Sequence, residues 1–132
     1  MNRIPENEWK WFGLAAHFIC GRWCRFHMAT QIGQFVVSSV GMYVHPRHSQ
    51  GSERKEAEWL RENPEGEDIG CDRKAETMVF RATDCICTCG CGMPMLDFER
   101  GEITVRGYKT IADATKGHME MCNEVAAWED NQ

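Results

Sequence analysis

Cysteine content constrains this chain more than any other feature of its sequence. Eight of the 132 residues are cysteine, and four of them, Cys85, Cys87, Cys89 and Cys91, alternate with single residues. Disulfides between cysteines so close in sequence would be strained, and a reducing compartment would not preserve them. A metal ion instead collects several thiolates without that geometric demand. The spacing therefore predicts metal binding, against the alternative that these cysteines are small buried hydrophobic residues.

The strongest candidate metal site joins two cysteines of a glycine-rich turn to two residues of a C-terminal helix. His118 and Cys122 stand four residues apart, so they share one face of a helix. Cys89 and Cys91 are each followed by a glycine, which permits tight folding of the backbone around an ion. Three thiolates and one imidazole fill a tetrahedral zinc site and leave no position for a substrate water. The predicted zinc is therefore structural.

Three alternatives to this quartet stay open. Cys85 and Cys87 are alternate ligands from the same stretch. His118 is a core histidine if the helix packs only through its apolar stripe. An iron–sulfur cluster is the third alternative, although the longer cysteine spacings typical of such clusters are missing.

A second, weaker candidate zinc site lies towards the N-terminus. His17, Cys20, Cys24 and His27 form a symmetric array, and Cys71 is a further candidate ligand. If this segment is β, His17 faces away from Cys20, and Cys24 faces away from His27. The full array then closes only around a sharply bent turn. If the segment is helical instead, all four residues lie on one face, surrounded by Phe18, Ile19, Trp23 and Phe26. The predicted ligands are Cys20, Cys24, Cys71 and one of the two histidines.

Hydrophobic patterning predicts one α+β domain over residues 1–132. The expected fold is a small antiparallel sheet with a short middle helix and a C-terminal helix, stabilised by zinc, with a β-rich part at 1–64 and a zinc-binding part at 65–132. The predicted elements are strands at 24–28, 35–40 and 76–81, a loop with two solvated histidines at 45–51, a helix at 53–62, and a hairpin of 96–99 with 102–105 around an Arg-Gly turn.

Both predicted helices have recognisable starts. Ser52 can cap the middle helix, which should turn Ala57 and Leu60 inward before it ends at an Asn-Pro pair. Thr110, with Asp113 three residues later, approximates a capping box for the last helix. The inward stripe of that helix is Ile111, Ala114, His118, Met121, Cys122 and Val125.

Charge is distributed unevenly along the chain. The net charge is −5, yet residues 9–52 contain no Asp or Glu and carry four basic residues. The simpler interpretation is a buried sheet with few charges of either sign. The alternative is a nucleic-acid-binding zinc module in which Trp9, Trp11 and Trp23 stack on bases.

Other functional classes find little support in the sequence. No apolar run approaches the roughly 18–20 residues of a membrane helix, and the first residues lack the apolar core of a secretory signal. We therefore expect a soluble cytoplasmic protein with no catalytic residues. The zinc-protease, deaminase and phosphate-loop motifs are absent. A small metalloenzyme with an open coordination position at the N-terminal ligands is a third hypothesis.

The chain resembles small, cysteine-rich, uncharacterised proteins of bacteriophages and prophages at residues 11–20, 36–43, 69–74, 76–80, 89–94 and 117–122. That group has no known activity to carry over. The resemblance implies a phage accessory protein that acts in the cytoplasm of a bacterial host. By analogy with other such proteins, it would bind a host protein or ribonucleoprotein complex and inhibit a defence system of the CRISPR or restriction type.

Overall fold

A computed structural model describes residues 3–12, 23–88 and 92–131. Its strands are antiparallel and follow the order β1-β2-β3-β4, and both β5 and β6 pair with β4. The strands are β1 (Lys10–Trp11), β2 (Cys24–Ile32), β3 (Phe35–Tyr43), β4 (Ala75–Ile86), β5 (Pro94–Leu96) and β6 (Thr104–Tyr108). The helices are α1 (Pro46–Ser49), α2 (Glu53–Glu62) and α3 (Ile111–Ala126). The predicted α+β class with an antiparallel sheet is confirmed.

The hairpin of β2 and β3 forms the centre of the sheet. Its register runs from Ile32 opposite Phe35 to Cys24 opposite Tyr43. The loop has two residues, and its first, Gly33, has a φ of 61°, which only glycine adopts readily. The first seven residues of β3 are all buried, as expected for a strand rich in β-branched residues and covered on both faces. The strands predicted at 24–28 and 35–40 are confirmed, and both are longer than predicted.

β4 is twice as long as the predicted strand at 76–81, and it organises the last third of the chain. Its first half pairs with β3 and β6, and its second half pairs with β5. The predicted hairpin of 96–99 with 102–105 is therefore wrong, because those segments pair with β4 and not with each other. The expected turn does form, since Gly101 has a φ of 71° and its N–H donates to the Phe98 carbonyl oxygen at 3.1 Å.

α3 covers one face of the sheet, which we call the first face. The Thr110 hydroxyl accepts a hydrogen bond from the Asp113 N–H at 3.0 Å, so the predicted cap is confirmed. The predicted inward stripe is also confirmed, with Ile111 half-buried and the other five residues buried. The cluster between α3 and the sheet contains Trp9, Ile32, Phe35, Val37, Val79, Met121, Cys122, Val125 and Ala126. In the described ranges, neither α3 nor another helix is long and apolar enough to cross a membrane.

A separate apolar cluster lies on the second face of the sheet. Val36 lies between Phe35 and Val37 in β3 and points the opposite way, because successive side chains of a strand alternate between faces. The buried members of this second cluster are Ala29, Val36, Phe80, Met93 and Leu96. β5 and the residues just before it therefore help to cover the second face of the sheet, which α3 does not cover.

The segment between β3 and β4 differs from its prediction in two ways. Residues 46–49 form α1 where a loop was predicted, and His48 stacks on Trp59 with ring centroids 4.0 Å apart, so this histidine is not freely solvated. α2 begins after Ser52 as predicted, with the Ser52 hydroxyl accepting from the Lys55 N–H at 3.3 Å. Ala57, however, is exposed, because α2 lies at the edge of the molecule and buries none of its residues.

Candidate functional site

His118, the predicted zinc ligand of α3, lies at the centre of a buried hydrogen-bond network. Its side chain is fully buried. Nδ1 lies 2.7 Å from the Ser39 hydroxyl of β3, and Nε2 lies 2.8 Å from the Thr30 hydroxyl of β2. The Ser39 hydroxyl is also 2.6 Å from the Thr77 hydroxyl of β4. One histidine therefore connects α3 to three strands through hydroxyl groups.

Burial keeps this network uncharged at neutral pH. It lowers the pKa of His118 to about 4 and raises the pKa of the Cys122 thiol to about 11. A neutral imidazole carries one N–H and one lone pair, so it donates to one of its two hydroxyl partners and accepts from the other. The Thr30 side chain lowers the pKa of the Cys122 thiol, but by less than burial raises it. Without a neighbouring cation, the Cys122 thiol therefore stays protonated at neutral pH.

Only part of the first predicted zinc site lies within the described residues. Cys89 and Cys91 fall outside the described residues, so the quartet stays a prediction. Of the alternate ligands, Cys85 is exposed near the end of β4, and Cys87 is half-buried just after that strand. Met93, two residues after Cys91, is buried on the second face of the sheet, whereas His118 packs on the first face.

The second predicted zinc site is also divided between described and undescribed residues. His17 and Cys20 lie outside the described parts, and Cys71 is exposed in a turn. Cys24 and His27 are an odd number of positions apart in β2 and so point to opposite faces of the sheet.

His27 nevertheless keeps one ring nitrogen open. Its Nε2 donates to the Cys24 carbonyl oxygen at 2.6 Å, and its buried Nδ1 has no hydrogen-bond partner in the described parts of the chain. Across 3–12, 23–88 and 92–131, no three His, Cys, Asp or Glu residues form a group that could hold a metal ion. The second site therefore stays a prediction as well.

The Ser39–His118 pair has the residue types of a nucleophile and its base. Both side chains have no exposed surface, so a substrate cannot reach the Ser39 hydroxyl without separation of α3 from the sheet. In the folded chain this pair can hold the helix against the sheet.

Acidic side chains from later in the chain lie beside the acid-free segment 9–52. Arg25 pairs with Glu56 of α2, and Arg47 pairs with Glu67. Arg22 lies outside the described residues. Two of the four basic residues of this segment are therefore neutralised by carboxylates from later in the chain.

Only some of the tryptophans proposed for base stacking are accessible. Trp9 is buried, and its Nε1 donates to the Ile4 carbonyl oxygen at 3.1 Å. Trp11 and Trp23 are exposed. Trp9 therefore belongs to the core and not to a binding surface.

A different set of exposed residues lies between the end of β4 and β6. Five large apolar side chains of this stretch have exposed fractions between 37% and 58%, and we call them the apolar band: Ile86, Met95, Phe98, Ile103 and Val105. Within the band, Val105 of β6 lies opposite Met78 of β4, and the Phe98 ring packs edge-on against Phe80 with centroids 5.3 Å apart. The sequence did not reveal this surface, because the apolar residues of 96–105 were assigned to a hairpin that does not form.

Comparison with known proteins adds no assignment to this geometry. No protein family, curated protein or solved structure matches the chain.

Proposed function

We propose that this chain is a phage accessory protein that acts by binding a host protein, or the protein part of a ribonucleoprotein complex, through the apolar band. The observation that carries this proposal is the exposure of five large apolar side chains within a stretch of 20 residues. Large apolar surfaces on a single chain mark interaction sites more often than chance exposure does. Methionine and aromatic residues, both present in the band, are enriched at protein interfaces.

Energetic considerations support binding at this surface. Fully burying an exposed large apolar side chain contributes roughly 1.5–3 kcal/mol. The band members are already about half-buried, so each would contribute about half of that on binding, and the five together would supply a substantial part of a typical binding free energy. β6 pairs only with β4 among the strands described here. Its other edge can therefore accept an extended strand from a partner.

The resemblance to phage proteins supports the biological context of this proposal. A stoichiometric inhibitor needs a surface and no catalytic centre, and its site of action would be the bacterial cytoplasm. A restriction or CRISPR component is the class of host factor that such an inhibitor would occupy. The nucleic-acid alternative receives less support, because Arg25 and Arg47 are paired with carboxylates and Trp9 is buried.

The test compares two band variants with a matched surface variant. Met95→Lys and Val105→Lys place a charge in the apolar band, whereas Thr115→Lys places the same charge on the exposed side of α3. Each protein is expressed in bacteria that carry an active CRISPR or restriction system, and the efficiency of phage plating is measured. Host proteins that co-purify with each variant are quantified by mass spectrometry.

We expect the wild type and Thr115→Lys to raise plating and to retain the same host protein. Each band variant should weaken that capture by about tenfold or more, as loss of a central interface contact does, with an unchanged melting temperature. Band variants that keep both capture and plating would contradict the proposal. So would a purified chain that turns over a substrate at a saturable rate.

A further inference from the structure

A cleft opens beside the apolar band, where the C-terminal end of the chain meets the turn between β2 and β3. Its volume is about 380 Å³, within the range of sites that bind small ligands or single side-chain anchors. Its lining residues are Phe35, Arg81, Ile103, Trp128, Glu129 and Asp130. Ile103 belongs to both the cleft and the apolar band, so the two surfaces are continuous.

The floor of the cleft is aromatic and held in place. The ring of Phe35, which is buried, meets the ring of Trp128 edge-on at 5.0 Å between centroids. Asn131 fixes the wall, because its Nδ2 donates to the Val125 carbonyl oxygen at 2.9 Å and its Oδ1 accepts from the Gln34 N–H at 3.0 Å. The cleft is therefore largely formed before a ligand arrives.

The cleft is lined by one basic side chain, Arg81, and two acidic ones, and these do not pair with each other. The Arg81 guanidinium carbon lies 6.0 Å from the centre of the Phe35 ring, a cation–π contact. The ion pairs found among the described residues include neither Arg81 nor the two carboxylates of the cleft, Glu129 and Asp130. A half-buried guanidinium with donors to spare favours a carboxylate partner. The two carboxylates favour a cation.

We propose that this cleft receives an extended peptide segment of the partner protein, in which one apolar side chain lies between an acidic and a basic residue. The apolar side chain would occupy the space between Ile103 and Trp128 above Phe35. The acidic residue would pair with Arg81, and the basic residue would face Glu129 and Asp130. This inference rests on the proposed function, since it assigns the partner's anchor residue to a position next to the apolar band.

Short peptides test the inference without knowledge of the partner. The probes are acetylated and amidated pentapeptides with the cores Asp-Leu-Lys and Lys-Leu-Asp, one for each chain direction. The controls are the same peptides with glycine in place of leucine, a Ser-Leu-Ser peptide, and free leucine. Binding is followed by the NMR signal of the Trp128 indole N–H, which is assigned by its disappearance in Trp128→Phe.

We expect one of the two charged peptides to shift the Trp128 signal at millimolar concentration or below, and the controls to leave it unchanged. Arg81→Gln should weaken that binding by about tenfold, as loss of a hydrogen bond to a charged group does. Arg61→Gln removes a guanidinium from the exposed surface of α2 instead and should have no effect. A double variant with Glu129→Gln and Asp130→Asn should also weaken binding.

Three outcomes would overturn the inference. The first is no shift of the Trp128 signal with either peptide at about 5 mM, which corresponds to negligible affinity. The second is a peptide-induced shift that persists in Arg81→Gln. The third is an equal shift with free leucine. Failure of the peptides while Met95→Lys and Val105→Lys still abolish partner capture would reject the cleft and leave the proposed function standing.

Discussion

At the scale of single residues, His118 is expected to make stability depend on pH. Its pKa is about 4 in the folded chain, against 6.5 as the ordinary value. Between these values the unfolded chain holds a proton on this histidine and the folded chain does not. The free energy of unfolding should therefore fall as the pH drops from about 6.5 to about 4, by up to about 3 kcal/mol. Chemical denaturation across this pH range measures it.

The variant His118→Gln isolates this contribution. A glutamine amide can donate to one hydroxyl and accept from another, yet it does not titrate. Burial also lowers the pKa of His27, but that effect acts in the same direction in both proteins and cancels in the difference. We expect the free energy of unfolding of the variant to change less with pH than that of the wild type between pH 4 and 6.5. Parallel profiles would show that His118 is not held neutral by burial.

His118 and His27 differ in whether a ring nitrogen is available to bind zinc. Both ring nitrogens of His118 are occupied by hydroxyls, whereas Nδ1 of His27 has no partner among the described residues. We therefore expect His118→Gln to leave the zinc content of the purified chain unchanged and His27→Gln to lower it. Elemental analysis by mass spectrometry measures zinc per chain. Loss of zinc in His118→Gln alone would favour the first predicted site, and a wild type without zinc would reject both.

The role of His118 shows what the sequence could and could not predict at this scale. The spacing of His118 and Cys122 correctly predicts that both lie on the buried face of a helix. It does not show that Thr30 and Ser39 face the two ring nitrogens, because those contacts depend on the register of two strands far away in the chain. A histidine and a cysteine four residues apart are equally compatible with a metal site and with a hydrogen-bonded core.

At the scale of elements, the contact of α3 with β6 depends on a glycine within the helix. A Cβ atom at Gly117 would collide with the ring of Tyr108. Alanine improves helix propensity by about 1 kcal/mol over glycine, but overpacking typically costs about 1–3 kcal/mol. We expect Gly117→Ala to lower the melting temperature, as measured by circular dichroism.

Thr115→Ala provides the matched control for this prediction. Thr115 is exposed on the same helix, so its replacement changes propensity without adding a clash. We expect Thr115→Ala to be neutral or slightly stabilising. If Gly117→Ala is also stabilising, Tyr108 does not pack tightly against α3.

Elements with local signals were predictable from the sequence, and elements defined by distant pairing were not. The caps at Ser52 and Thr110 and the β-branched run at 35–40 correctly located α2, α3 and β3. The segments 96–99 and 102–105 have suitable alternation and a real turn at Gly101, yet their partner is β4. The full length of β4 was not predicted, because Cys85 in its second half was interpreted as an alternate metal ligand of the cysteine-rich stretch.

At the scale of the whole molecule, stability is concentrated where α3 covers the sheet. β3 is buried along seven of its nine residues, whereas α2 buries none. The apolar band lies on chain that follows the well-packed half of β4, whereas the cleft beside it borders the core at Phe35 and Trp128. Binding surfaces are commonly drawn from such less densely packed parts, since they can rearrange without unfolding the core.

The same contrast predicts the order in which backbone amides exchange with solvent. We expect the amides of α2 to exchange by local opening, at least about a hundredfold faster than those of residues 36–40, which exchange only when the sheet unfolds. Arg25→Gln should speed exchange in α2 by a few-fold through loss of the pair with Glu56, and leave β3 unchanged. Hydrogen–deuterium exchange followed by NMR measures both. Protection of α2 equal to that of β3 would mean that the two segments unfold as one cooperative unit, and that α2 is held by more than its cap and this ion pair.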